Sequence, residues 1–419
     1  MSETAEDPRL AAWRRAASAH DALIRDPTFA ARWQAASWND EAFAACQVGL
    51  RRLQRDAPEF FAAHDYAWVF DRAAYRYAPE PLYQLVALEA AAALHRAPEP
   101  PLDPGRLGAL SVHLLGAIGI EGASPFLDSQ GGYDFIALPY GWDDVAGFAL
   151  GGFAAFCGLD GPPGWLPLGG LDAPAAQRAG EEGAAHALPF WRSLALRAVV
   201  ARLAAEAAPE GPRSALEMDA ADWDALGRLT PDAAAAEGPT EGPFRFAHDM
   251  PARDAARDAI FAASAFAVAH EVAHAALRPD LDLSRDAEEA HADVYALKAL
   301  WAYEGSLASL KPLTDTADGA AAWAAACFFL TLRCWGVAYR AGASDPGRPE
   351  ALAGREAEAV RILRGMIADP EAWAFSIGPG AAHGFEVWQA VAGAYLGQFE
   401  SWLSGALPDL LAQGRARLQ

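Results

Sequence analysis

Three ionisable side chains stand within five positions of one another in an otherwise apolar stretch, as His270-Glu271-Val272-Ala273-His274. From Ala259 to Leu277 the only other polar side chain is Ser264. A helix apolar on all sides is buried, and buried ionisable groups are costly unless something satisfies them. A divalent cation would satisfy these. Residues four apart project from one helical face, so the two imidazoles can take adjacent corners of a zinc tetrahedron. Glu271 is rotated by about 100° from His270. That turn suits it to take a proton from a water at the metal rather than to ligate. The pattern is H-E-x-x-H.

The residues after the motif narrow the choice. Arg278-Pro279-Asp280 ends the first helix, and Asp286-Ala287-Glu288-Glu289-Ala290-His291-Ala292-Asp293 opens a second. On that helix Asp286, Glu289, Asp293, Ala296 and Leu300 share one face. The connection is short, so this acidic face is expected to meet the histidines. Glu288 and His291 are competing ligands, although neither lies on the Glu289–Asp293 face. A buried polar network that holds no metal is the competing reading of the whole cluster.

His270-Glu271-x-x-His274 followed by Glu289-x-x-Ala292-Asp293 resembles the gluzincin peptidases, in particular the ImmA/IrrE-like and prenyl-protein-peptidase-like families. The soluble phage-exclusion Lit-like peptidases are similar in the same motif. The resemblance spans roughly residues 261–300. It implies that Glu289 is the third zinc ligand and that Asp293 orients a ligating histidine through its other ring nitrogen. It also points to His383, in a Gly-rich loop about ninety residues after Asp293, as the group that steadies the oxyanion. A capping or surface histidine is the alternative there. Tyr295 is expected in the core. His248-Asp249 is expected at the start of the catalytic helix, where an acidic side chain is favoured.

The elements that must position these residues are mostly helical. Ala- and Leu-rich segments dominate, and β-branched runs are scarce. The fold class expected is α+β, mainly helical with a small sheet, built as a zincin-like core beside an N-terminal helical region. The Pro-rich stretch 97–105 suggests a boundary, giving a helical domain over 1–105 and a metallopeptidase domain over 106–419. Residues 106–122 read as a further apolar helix. Tyr133-Asp134-Phe135-Ile136-Ala137-Leu138, after Gly131-Gly132, reads as a strand. It is either structural or an edge that receives an extended substrate.

Composition limits the partners. The net charge of -22 on 419 residues repels a phosphate backbone, so nucleic acid is not an expected ligand. The acidic N-terminus has no apolar run of a targeting signal. Cys46, Cys157, Cys327 and Cys334 form no CxxC pair and read as reduced core thiols. The apolar run 320–332 is too short to span a bilayer. No Gly-rich segment has nucleotide-loop spacing. A cytoplasmic zinc hydrolase acting on a protein or peptide, gated by a regulatory partner or signal, is the expectation. A non-enzymatic helical interaction protein, with a structural zinc or a metal-free network, is the alternative. The presence of Glu271 beside a ligand argues against it.

Overall fold

The computed structural model describes residues 40–70, 81–96, 101–115, 125–139, 251–277 and 283–302, with scattered helical positions at 8–15, 142–150 and 321–332. The chain divides into two compact units. One comprises Met1–Tyr140, Val200–Asp219 and Ala267–Ser306; the other comprises Gly141–Val199, Ala220–Phe266 and Leu307–Gln419. Position 105 falls inside the first unit. The described residues are mostly helical with one three-stranded mixed sheet, an α+β arrangement.

In the first unit, α1 (Asp40–Asp56), the short α2 (Pro58–Ala63) and α3 (Pro81–Arg96) form a helical layer. α3 is rich in alanine and leucine, strong helix formers, and is buried from Gln84 through Leu94. A methyl group on Gly49 of α1 would strike Leu85 of α3, so glycine lets these helices approach closely. Polar groups on this layer serve the sheet. The Gln84 amide oxygen accepts from Val112 N–H at 2.9 Å, and its nitrogen donates to Leu110 C=O at 3.4 Å. The side chain thus meets the backbone of β1 (Leu110–Leu115) much as a neighbouring strand would. The Tyr66 hydroxyl accepts from Leu110 N–H at 3.1 Å and donates to Leu107 C=O.

The sheet corrects one sequence expectation. Residues 104–109 form a 3-10 turn and 110–115 a strand, not the start of an apolar helix. A short apolar run does not distinguish the two by periodicity. Here β3 (Tyr133–Pro139) supplies a parallel ladder, from Leu110 opposite Asp134 to Leu115 opposite Pro139. β2 (Phe126–Gln130) pairs antiparallel on the other side of β3. It joins β3 through Gly131 and Gly132, whose φ values of 63° and 84° suit a primed hairpin turn. The strand expected at Tyr133–Leu138 is present. The order β1-β3-β2 makes it central, with both edges paired. It therefore cannot receive a substrate strand by edge pairing, and its role is structural.

Two further helices are described later in the chain. α4 (Pro251–Ala276) contributes its residues up to Phe266 to the second unit and those from Ala267 to the first. Within the second unit, Ser264 accepts a hydrogen bond from the buried Trp142 indole at 3.2 Å. Phe266 packs on Phe328 and Phe329, and Trp142 also meets Phe328. Cys46 and Cys327 are buried, as expected of core thiols; Cys157 and Cys334 lie outside the described residues. α5 (Arg285–Ala302) packs against α3. Its first turn is fixed by Ser284, whose hydroxyl accepts from Ala287 N–H at 3.3 Å and whose carbonyl accepts from Glu288 N–H at 2.9 Å.

Among the described residues no helix is long and apolar enough to cross a membrane.

Candidate metal centre

The C-terminal end of α4 is held where backbone carbonyls would otherwise lack partners. Asp103 N–H donates to Ala276 C=O at 2.7 Å, Leu102 bridges to Leu277, and the Arg106 guanidinium donates to Leu277 C=O. A cation at a helix C-terminus is also favoured by the helix dipole. Three residues upstream of this anchored end stands His274, and one turn further back His270. The helix around them is apolar and buried: Val268, Ala269, Val272, Ala273, Ala275 and Ala276 have essentially no exposed surface.

His270 and His274 present their rings edge to face, with centroids 4.6 Å apart and an interplanar angle of 77°. Their Nε2 atoms are 3.0 Å apart. Glu289, on the first half of α5, brings Oε2 to 3.3 Å from His270 Nε2 and 3.8 Å from His274 Nε2. The outward ring nitrogens face carboxylates as well. His270 Nδ1 lies 2.8 Å from Asp293 Oδ1, and His274 Nδ1 lies 3.3 Å from Glu288 Oε1.

These contacts suit a proton on Nδ1 of each ring. A neutral imidazole carries one N–H, and a carboxylate beside Nδ1 holds the proton there. Both Nε2 lone pairs then point inward, towards each other and towards a carboxylate oxygen. Three electron-rich atoms in van der Waals contact require a cation among them, either a proton or a metal ion. The separations admit either: 3.0 Å between the two Nε2 atoms is a hydrogen-bond distance, and the three atoms together are also spaced for a metal ion. A point equidistant from the three atoms in their plane is about 2.0 Å from each, close to the Zn–N and Zn–O bond length. A tetrahedral zinc site with such bonds has ligand atoms about 3.3 Å apart, which is near the mean of the three separations. His270, His274 and Glu289 thus form a group that can hold a metal ion.

The electrostatics have the same cause. Burial alone disfavours a charged His270, but Asp293, Glu289 and Glu271 more than offset it. Its pKa is raised to about 9. Glu271, the residue after His270, is itself buried.

α4 and α5 bring together four residues named from the sequence: His270, His274, Glu289 and Asp293. His291 is not in the group; its ring stacks on Tyr295 at 6.2 Å, and Tyr295 is buried. Glu288 is not in the group either, yet it contacts the far side of the His274 ring. Reading the sequence only as a choice of ligands hides that role. The available signal is two consecutive glutamates, which a helix splays by about 100°. His383 and His248-Asp249 lie outside the described residues.

Comparison with protein-family models, with curated proteins and with solved structures returns no match. The likeness to gluzincins therefore rests on the motif residues.

Proposed function

We propose that this chain is a zinc-dependent peptidase that hydrolyses a peptide bond in a protein substrate. His270, His274 and Glu289 would hold the ion, and the α4–α5 pair would form a zincin-like core. The observation that carries the reading is the gathering of two imidazole nitrogens and one carboxylate oxygen within 4.8 Å of one another, with a carboxylate near the other nitrogen of each ring. Zinc bound at that point supplies a Lewis acid for the scissile carbonyl and lowers the pKa of an attacking water.

In this reading Glu271 accepts a proton from the attacking water as the new C–O bond forms. It returns that proton to the amine nitrogen as the C–N bond breaks. The apolar helix around it keeps bulk water from competing for the same proton. Asp293 keeps the proton of His270 on Nδ1, so that ring stays a ligand and not an acid. A site of this kind working in the cytoplasm, where buried thiols such as Cys46 and Cys327 stay reduced, needs restraint. We therefore include selectivity for a particular substrate and gating by a partner or signal in the proposal.

The test is metal content of the purified chain by mass spectrometry, followed by cleavage of a peptide library. About one zinc per chain is expected, with Glu271→Gln keeping the zinc and losing turnover by ~100-fold or more. Wild type that takes up no zinc after reconstitution overturns the metal site. Zinc uptake with equal cleavage by wild type and Glu271→Gln overturns the peptidase in favour of a structural zinc. Free digestion of unfolded casein by the isolated chain overturns the gating.

A further inference from the structure

One carboxylate at the centre has no part in the ligand set. Glu288 is half exposed, its side chain at 48%, and sits in the first turn of α5 directly before Glu289. The Ser284 cap fixes the backbone of that turn. Consecutive positions on a helix point about 100° apart. Here that angle sends the two glutamates to opposite sides of a single ring. Glu289 Oε2 lies 3.8 Å from His274 Nε2, and Glu288 Oε1 lies 3.3 Å from His274 Nδ1.

We infer that Glu288 is a positioning residue for the metal centre, holding the His274 proton on Nδ1 and thereby aiming the Nε2 lone pair at the point shared with His270 and Glu289. The inference rests on the proposed metal site. Without an acceptor at Nδ1 the two neutral tautomers of an imidazole are close in energy, and the ring can also turn over. Either change takes the lone pair off target. For His270 this role belongs to Asp293, which is nearly buried and only 2.8 Å away. For His274 the acceptor is longer and water-screened, so its effect should be the smaller of the two. One ligand is therefore held firmly and the other more loosely.

Zinc affinity measured by competition with a chromophoric chelator tests the idea on the full chain. Glu288→Ala is expected to weaken binding by ~10-fold and Asp293→Asn by ~100-fold, the usual range for groups that orient ligands. Glu288→Gln keeps an acceptor oxygen and should fall between wild type and Glu288→Ala. Asp65→Asn, an exposed acid elsewhere in the same unit, should stay within ~2-fold and so controls for charge alone. Cobalt substitution should show an altered visible absorption band in Glu288→Ala, which a purely global loss of stability would not produce. If wild type binds zinc and Glu288→Ala and Glu288→Gln bind it equally well, the inference falls and the metal site stands. If Asp65→Asn weakens binding as much as Glu288→Ala, net charge is responsible and the inference also falls. If wild type binds no zinc, both readings fall.

Discussion

The rings of His270 and His274 meet edge to face with centroids 4.6 Å apart, and those of His64 and His95 do the same at 5.1 Å. Facing nitrogens are 3.0 Å apart in the first pair and 3.3 Å in the second. Both pairs belong to the first unit. Their chemistry nonetheless runs in opposite directions. Around His64 the neighbours are Phe60 and Tyr66. Burial lowers its pKa, and the charge of His95 lowers it further. The carboxylate of Glu59, which feels His95, is bound to Arg96 at 2.8 Å. Around His270 three carboxylates reverse the effect of burial. Two imidazoles in contact do not make a cation site. The acids that back them do.

The comparison breaks most sharply on metal uptake. His270→Ala or Glu289→Ala should lower zinc affinity by roughly 100- to 1,000-fold, about one ligand's share of the binding energy of a four-coordinate site. His64→Ala and His95→Ala should leave it within a few-fold of wild type. Zinc lost equally from both sets of variants would show that the two pairs are not distinct.

Titration should separate His270 from His64 by sign. In chelator, His270 has a folded pKa of about 9 against 6.5 unfolded. Its contribution is fully present below pH 6.5 and is lost as pH rises through about 9, on the order of 3 kcal/mol. Zinc displaces that proton and should abolish the loss. His64 has a folded pKa below 6.5, so the unfolded chain takes the proton first. Stability then falls as pH drops below 6.5. Histidine resonances followed by NMR, beside thermal melts at each pH, check both signs. A His270 resonance that titrates near 6.5 would remove the electrostatic half of the comparison.

The smallest effect is expected from His64→Phe. A ring of similar size replaces one that gains little from its polar atoms, so the unfolding free energy from denaturant titration should change by less than ~1 kcal/mol. The acid-side loss of stability should shrink with it. A large destabilisation would mean that the 3.3 Å His64–His95 contact is worth more than its surroundings suggest.

The candidate centre was more legible in the sequence than the fold around it. His270, Glu271 and His274 are placed by helical periodicity, and Glu289 and Asp293 by the same periodicity after a short connection. These relations are local, and 3.6 residues per turn govern them wherever the helices lie. The α+β class and the strand at Tyr133 were legible for a similar reason, since a Gly-Gly turn and a proline bracket the segment. The strand at Leu110–Leu115 was not. Its six residues suit a helix or a strand about equally, and β3, about two dozen residues further on, decides between them.

The sequence by itself determined which side chains can gather around a cation, because their spacing along two helices is a matter of backbone geometry. The tertiary structure alone decided that β3 lies in the middle of its sheet, that Glu288 backs His274, and that His270 gains a proton where His64 sheds it. Each of these depends on which groups from distant parts of the chain share a buried space. At such short range, where water no longer screens, the identity of the neighbour sets the sign of the effect.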